Sequence, residues 1–253
     1  MQSLGCGGAA IGPVTHMTSG GRVYICCSPD RRVGVSTTAR LLTDYRLLKG
    51  ERVAGFDTDP HEPSYGVHFP GLVKAVNTAD IRDQISLFDT LLGEDSAPKI
   101  VDVWSRAYGR FFETVREIGF FEEARDRKVM TILFYHANST ESALNGAREL
   151  HRSWPEIRLV IVHNEGAAQL GAKARDILAH YPAGGKLVIP ELHAPVNKTL
   201  EDASLSLANF LHAPPPSMSI VVRAALKAWL TPIVTQLNSF ELRLAMESGL
   251  FSN

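Results

Sequence analysis

Apolar residues along this chain fall into two alternating patterns. Continuous runs recur at Val23 to Cys27, Arg52 to Asp57, Lys99 to Trp104, Val129 to Tyr135, Leu159 to Asn164 and Lys186 to Pro190. Each is short and bounded by polar or glycine-containing segments, so each reads as a strand. Continuous rather than alternating hydrophobicity marks strands covered on both faces, as in a parallel sheet. Between the runs the apolar spacing turns helical. The pattern predicts helices from Ser36 or Thr37 to Leu48, with Leu41, Leu42, Tyr45 and Leu48 on one face, and from about Asp80 to Leu92. Further helices are predicted over Arg106 to Arg127, Ser139 to about Arg152, and about Ala167 to His180. Lys49-Gly50 stops the first of these, since glycine adopts the left-handed cap freely. Past Pro214-Pro-Pro216 the remainder reads as helical, with Ser219 to Leu230 amphipathic.

Strands alternating with helices predict an α/β protein with a mostly parallel sheet and helices on both faces. At 253 residues the chain suits one such domain. We divide it into a flexible, glycine-containing lead-in at 1–21, the α/β domain at 22–213 and a C-terminal helical segment at 214–253, packed on the domain. In such sheets functional residues belong at the carboxyl ends of the strands, where Asp57, Asp59, Asp102 and Asn164 all fall.

The first strand leads into the most informative stretch, Ser28-Pro-Asp-Arg-Arg-Val-Gly-Val-Ser-Thr37. Strand, loop with glycine, then Ser/Thr at a helix start is the layout of a phosphate-binding P-loop. There, bare backbone N–H groups and the helix N-terminus hold an anion. Against the consensus Gly-x-x-x-x-Gly-Lys-[Ser/Thr], Gly34 and Ser36 match, but Val35 stands where the lysine belongs. The domain is thus P-loop NTPase-like in outline, with the loop's charge missing.

Composition narrows the picture further. A net charge of −1 gives no general attraction to nucleic acid or anionic membrane. Three cysteines, two of them adjacent in the first strand, make neither a disulfide framework nor a metal cluster and fit a reducing cytoplasm. No run reaches the 18 or so consecutive apolar residues of a membrane span. His136 and His163 end strands without a carboxylate or cysteine at ligand spacing, which argues against a zinc site.

The segment Thr37 to Asp57-Thr-Asp59-Pro60 resembles the ParA/MinD group of deviant Walker ATPases. In that group a loop Lys-Gly-Gly-x-Gly-Lys-[Ser/Thr]-Thr is followed some twenty residues later by a strand ending Asp-x-Asp-Pro. The resemblance covers residues 23 to about 195 and is strongest in the first forty of them. The chain is also similar to a bacterial subset of the group in which Ser-Pro-x-x-x-Val-Gly-Lys-Thr replaces the glycine-rich loop. The resemblance implies ATP or ADP with Mg²⁺ as cofactor. The nucleotide would sit on Arg31, Arg32, Val33, Gly34, Val35, Ser36 and Thr37, with Asn164 reading the adenine edge. Ser36 would supply a Mg²⁺-ligating hydroxyl, Thr37 would contact the α-phosphate, and Asp57 would stand beside the metal. Asp102 would hold Mg²⁺ through water, and Asp59 would orient the attacking water.

The departures from the group's pattern shape the functional expectation. Asp30 stands at the signature lysine that reaches a dimer partner's nucleotide, and Val35 at the phosphate-cradling lysine. Arg31 and Arg32 replace two glycines. Loss of the ammonium removes a charge-assisted bond worth roughly 1.5–3 kcal/mol. The resemblance therefore implies a partition, positioning or transfer protein with weak or no ATP hydrolysis. It would act as a homodimer, or as a heterodimer with a ParA-like homologue, and through a protein partner. Two alternatives stand beside it: an active Mg-ATPase in which Arg31 or Arg32 replaces the lysine, and a nucleotide-free structural subunit. MinD proteins use a C-terminal amphipathic helix on membranes and ParA proteins bind DNA through basic patches. Here the matching features are only Arg223 with Lys227, and Arg31 with Arg32.

Overall fold

A computed structural model describes residues 21–167, 169–180, 185–202 and 205–247; all of the 1–21 lead-in except Gly21 lies outside them. Seven strands form one parallel sheet: β1 (Arg22–Cys27), β2 (Ala54–Asp57), β3 (Val73–Ala75), β4 (Lys99–Val103), β5 (Met130–His136), β6 (Arg158–Asn164) and β7 (Lys186–Ile189). Their spatial order is β3-β2-β4-β1-β5-β6-β7. The side-chain period of a strand sends alternate residues to opposite faces, and both faces of β1 are buried. Val23, Ile25 and Cys27 join one core, while Tyr24 and Cys26 join the other. The first core is covered by α2 (Ile81–Leu91), α3 (Tyr108–Glu117), α4 (Phe120–Asp126), α5 (Glu141–Ser153) and α6 (Ala172–Leu178). The second is covered by α1 (Val35–Leu48), α7 (Ala194–Leu200), α8 (Leu207–His212) and α9 (Ile220–Glu247).

The observed ends follow local chemistry. The Asp80 carboxylate caps α2 by accepting from the N–H groups of Arg82 and Asp83, and Thr140 caps α5 through Ala143 N–H. Gly50 has φ +75° after α1. The helix expected over Arg106 to Arg127 is instead two, broken where Gly119 takes φ +60°. The helix expected from Ala167 begins only at Ala172. Strand β3 is absent from the sequence reading because three residues, with an exposed Lys74 at the centre, make no apolar run. Helices α7 and α8 are too short to show a helical period.

The long helix α9 lies along the second core. Leu226, Trp229, Leu230, Ile233, Leu237, Phe240 and Leu244 form its buried stripe. Its Gln236 amide accepts from Val188 N–H (2.8 Å) and donates to Val188 C=O (2.9 Å), so a side chain takes up backbone groups that edge strand β7 leaves free. By length and composition alone α9 is apolar enough to cross a membrane, and 28% of that apolar window is buried in the core.

Candidate functional site

Loops at the carboxyl ends of the strands and the N-terminus of α1 enclose a cleft of about 1090 Å³. Small-molecule sites usually measure roughly 300–1,000 Å³, so there is room for a ligand of nucleotide size. Its floor is the stretch that the sequence singles out.

From Arg31 to Thr37, no backbone N–H meets an acceptor among the described residues; the first to do so is Thr38 N–H, which donates to Gly34 C=O at 3.0 Å. Arg32 (φ +56°) and Gly34 (φ +94°) both take left-handed conformations, the backbone feature of anion-binding nests. Helix α1 opens there with no side-chain cap and no acidic residue in its first turn. Its N-terminal partial positive charge is therefore offset by nothing on its own first turn. Position 34 favours glycine: φ +94° strains any L side chain, and a Cβ there would press on the Asn164 amide, which would have to move.

Distant residues hold this loop in place. Ser28 Oγ donates to His136 C=O at 3.1 Å. His136 Nδ1 donates to Val33 C=O at 3.0 Å, since a carbonyl can only accept. The His136 ring is fully buried, and burial pushes its pKa down to about 4, so it is neutral near pH 7. The Asp30 carboxylate accepts from Asn138 Nδ2 (2.6 Å) and from Thr140 Oγ1. Asp30 thus ties the loop to the β5–α5 connection while itself lining the cleft. Sequence reasoning missed His136, Asn138 and Thr140 as supports. The available signals were a histidine ending a strand and an Asn-x-Thr at a helix start.

Strands β2 and β4 are neighbours, and their register sets Asp57 opposite Asp102. The two carboxyls have different fates. Asp57 accepts three backbone N–H groups, from Asp59 (3.0 Å), Tyr65 (2.9 Å) and Gly66 (3.2 Å). Burial raises its pKa, and these bonds oppose the rise. Asp102 is pushed up to about 8, by burial first and then by the charge of Asp57, against a hydrogen bond from Ser36. Asp59 Oδ1 accepts from the N–H groups of His61 (3.0 Å) and Glu62 (3.1 Å) in a local turn. Asn164 is turned onto the loop: Nδ2 donates to Val33 C=O (3.3 Å) and Oδ1 accepts from Gly166 N–H (3.2 Å).

Of the residues expected to bind nucleotide, Gly34, Val35, Ser36, Thr37 and Asn164 all line the cleft. Val33 is buried and contributes its carbonyl to the supports. Arg31 and Arg32 are exposed at the rim. Arg106, unnoticed in the sequence, joins them there with its guanidinium 5.3 Å from the centre of the Trp104 ring. Among the described residues no lysine lines the cleft. Nor do three His, Cys, Asp or Glu side chains gather at metal-binding spacing. Mg²⁺ is commonly held by one or two carboxylates together with phosphate oxygens and waters, and Ser36 with Asp102 fits that style of site. These residues would hold the ion, which would neutralise phosphate charge.

A scan against protein-family profiles finds no match, and neither does a search of curated proteins. Among solved structures the chain is similar to a nucleotide-binding protein from Archaeoglobus fulgidus, determined in complex with ADP and with cobalt found in it. The identity is 16%, the match covers 74% of this chain and 90% of that one, and the TM-score is 0.44.

Proposed function

We propose that this protein binds ADP or ATP with Mg²⁺ in the cleft and works as a nucleotide-dependent binding protein of the ParA/MinD type, with slow or no hydrolysis. The observation that carries this reading is the unbroken run of unpaired backbone N–H groups from Arg31 to Thr37 at the start of α1. The donors from Val33 to Thr37 belong to buried or half-buried residues, where such groups are normally satisfied, and a diphosphate satisfies them while meeting the helix dipole. Ser36 and Asp102 would hold the cation, and Asp59, half-buried at the cleft wall, would position a water. Phosphoryl transfer relies on such positioning together with cationic stabilisation of the transferred group. With valine at position 35, the second of these is weak. We take dimerisation and protein-partner binding as the output of nucleotide binding in this reading.

A second reading, an active Mg-ATPase, draws on one observation. Arg31 and Arg32 sit exposed at the cleft rim, and guanidinium suits bidentate phosphate contact. Calorimetric titration with ADP and ATP, with and without Mg²⁺, on the wild type and Val35→Lys tests both readings. Micromolar binding by the wild type is expected, with tighter binding by the variant. Silence from both overturns nucleotide binding. Wild-type phosphate release that falls more than tenfold in Arg31→Ala or Arg32→Ala would favour the ATPase reading.

A further inference from the structure

We infer that Ser64 is a second hydroxyl ligand for the cleft's divalent cation, beside Ser36; this rests on the reading of the cleft as a Mg²⁺–nucleotide site.

The starting point is which oxygens remain free. Asp57, expected beside the metal, is committed to three N–H donors. Asp102 is buried, with the Ser36 hydroxyl hydrogen-bonded to its carboxyl. The other atom that Ser36 Oγ meets is Ser64 Oγ, at 2.9 Å. Both serines line the cleft.

Ser64 reaches that place through an arch whose two ends are fastened to one carboxylate. Asp57 accepts from Asp59 N–H at the entry and from Tyr65 and Gly66 N–H at the exit. Tyr65, the next residue, is fully buried, and its hydroxyl is 2.6 Å from Thr43 Oγ1 on α1. Ser64 is therefore one residue from an anchor on the same helix that carries Ser36. Asp57 acts in this arrangement as a positioning residue.

The spacing suits a small ion. Adjacent ligands around an octahedral cation with bonds of about 2.0–2.1 Å stand about 2.9 Å apart; for Ca²⁺, at about 2.3–2.6 Å, the separation grows to roughly 3.3–3.7 Å. The Ser36–Ser64 separation is that of an ordinary hydroxyl–hydroxyl hydrogen bond and coincides with the Mg²⁺ value, so the two oxygens need not change their spacing to share the ion. In the structure one hydroxyl donates to the other. With a cation between them both turn lone pairs to the ion, and Ser36 keeps its proton on Asp102. No bond is broken beyond the single Ser64–Ser36 hydrogen bond.

The test measures Mn²⁺ binding by electron paramagnetic resonance and Mg²⁺ binding by calorimetry, each with the full chain alone and with the chain saturated in ADP. Ser64 is exposed, so its variants are expected to fold, and a thermal melt checks this. Ser64→Ala is expected to weaken Mg²⁺ and Mn²⁺ at least tenfold while leaving metal-free ADP affinity unchanged. Ser64→Cys is expected to bind Cd²⁺ at least tenfold more tightly than the wild type, a change of preference that a merely structural contact would not produce. Mg²⁺ affinity within twofold of wild type, or higher, in Ser64→Ala overturns the inference, as does failure of the wild type to bind Mn²⁺ in either state. Ser64-dependent Mn²⁺ binding without ADP binding would support the ligand and sink only the nucleotide reading.

Discussion

The two ends of the sheet use the same kinds of side chain in opposite ways. At the amino end, Arg46 is buried among the Tyr24 hydroxyl, Glu241 and Glu51, and Arg22 adds a second cation on Glu241 at 2.6 Å. Lys99, with no exposed side-chain surface, donates to the carbonyls of Gly93 (3.2 Å) and Asp95 (3.0 Å) and pairs with the Asp95 carboxylate (3.1 Å). Each of these charges has several partners. At the carboxyl end, Arg31, Arg32 and Arg106 meet no carboxylate among the described residues. Asp102 is buried without a cation, and the loop N–H groups stand open. Satisfied polar groups tie strands and helices together; unsatisfied ones in a cleft mark where a ligand is needed.

Breaking the paired end should have the largest effect. Arg46→Ala takes the buried guanidinium from the Tyr24 hydroxyl and leaves Glu241 to Arg22 alone; breaking a buried pair typically costs about 3–5 kcal/mol, and the retained Arg22 contact puts this loss at the low end. Urea denaturation should show a loss of that order, with ADP affinity changed less than twofold under conditions where the variant is folded. A loss under 1 kcal/mol would mean that the network contributes little.

Gly34→Ala attacks the open end. The Cβ displaces Asn164 and forces an alanine into left-handed backbone, costing roughly 1–3 kcal/mol. The expected mark is functional: ADP affinity falls more than tenfold by calorimetry, a loss that Arg46→Ala does not share. Equal losses in the two variants would erase the contrast between the ends.

The pH dependence sharpens the same contrast with smaller effects. Asp102 has its folded pKa raised to about 8. Protonated Asp102 is therefore favoured in the fold, and its contribution falls as pH rises from about 4 to about 8. Asp102→Asn should raise Tm relative to wild type at pH 9 and change it little at pH 4; a gain independent of pH would refute the assignment. His136 acts with the opposite sign. Its folded pKa, about 4, lies below that of the unfolded chain, near 6.5. The stability it contributes is present above 6.5 and is lost as pH falls toward 4. His136→Gln should flatten that acid limb of the Tm–pH curve, the smallest of these effects.

Much of the frame was legible from local pattern. The continuous apolar runs located every strand except β3, whose three residues around Lys74 carry no hydrophobic signal. The long Arg106 to Arg127 prediction failed at Gly119 because helical spacing persists across a left-handed break that the period does not see. The P-loop shape was readable from Gly34 and Ser36. Its supports were not: His136, Asn138 and Thr140 meet Val33 and Asp30 across more than a hundred residues of chain. Asp30 read only as a carboxylate at the signature-lysine position, whereas the packed chain sets it at the cleft with Asn138 and Thr140 holding one of its oxygens.

By itself, then, the amino-acid sequence determined the alternation of strands and helices, the sidedness of the core and the glycine-bearing turn before α1, because hydrophobic period and glycine's backbone freedom are local properties. Only the tertiary structure decided which polar groups remain available. Asp57 and Asp102 look alike on the page, yet the returning Asp59–Gly66 segment occupies one, while the sheet buries the other behind Ser36. Whether a carboxylate cinches a loop or faces a cleft depends on the donors that distant segments bring to it, and the packed fold sets those.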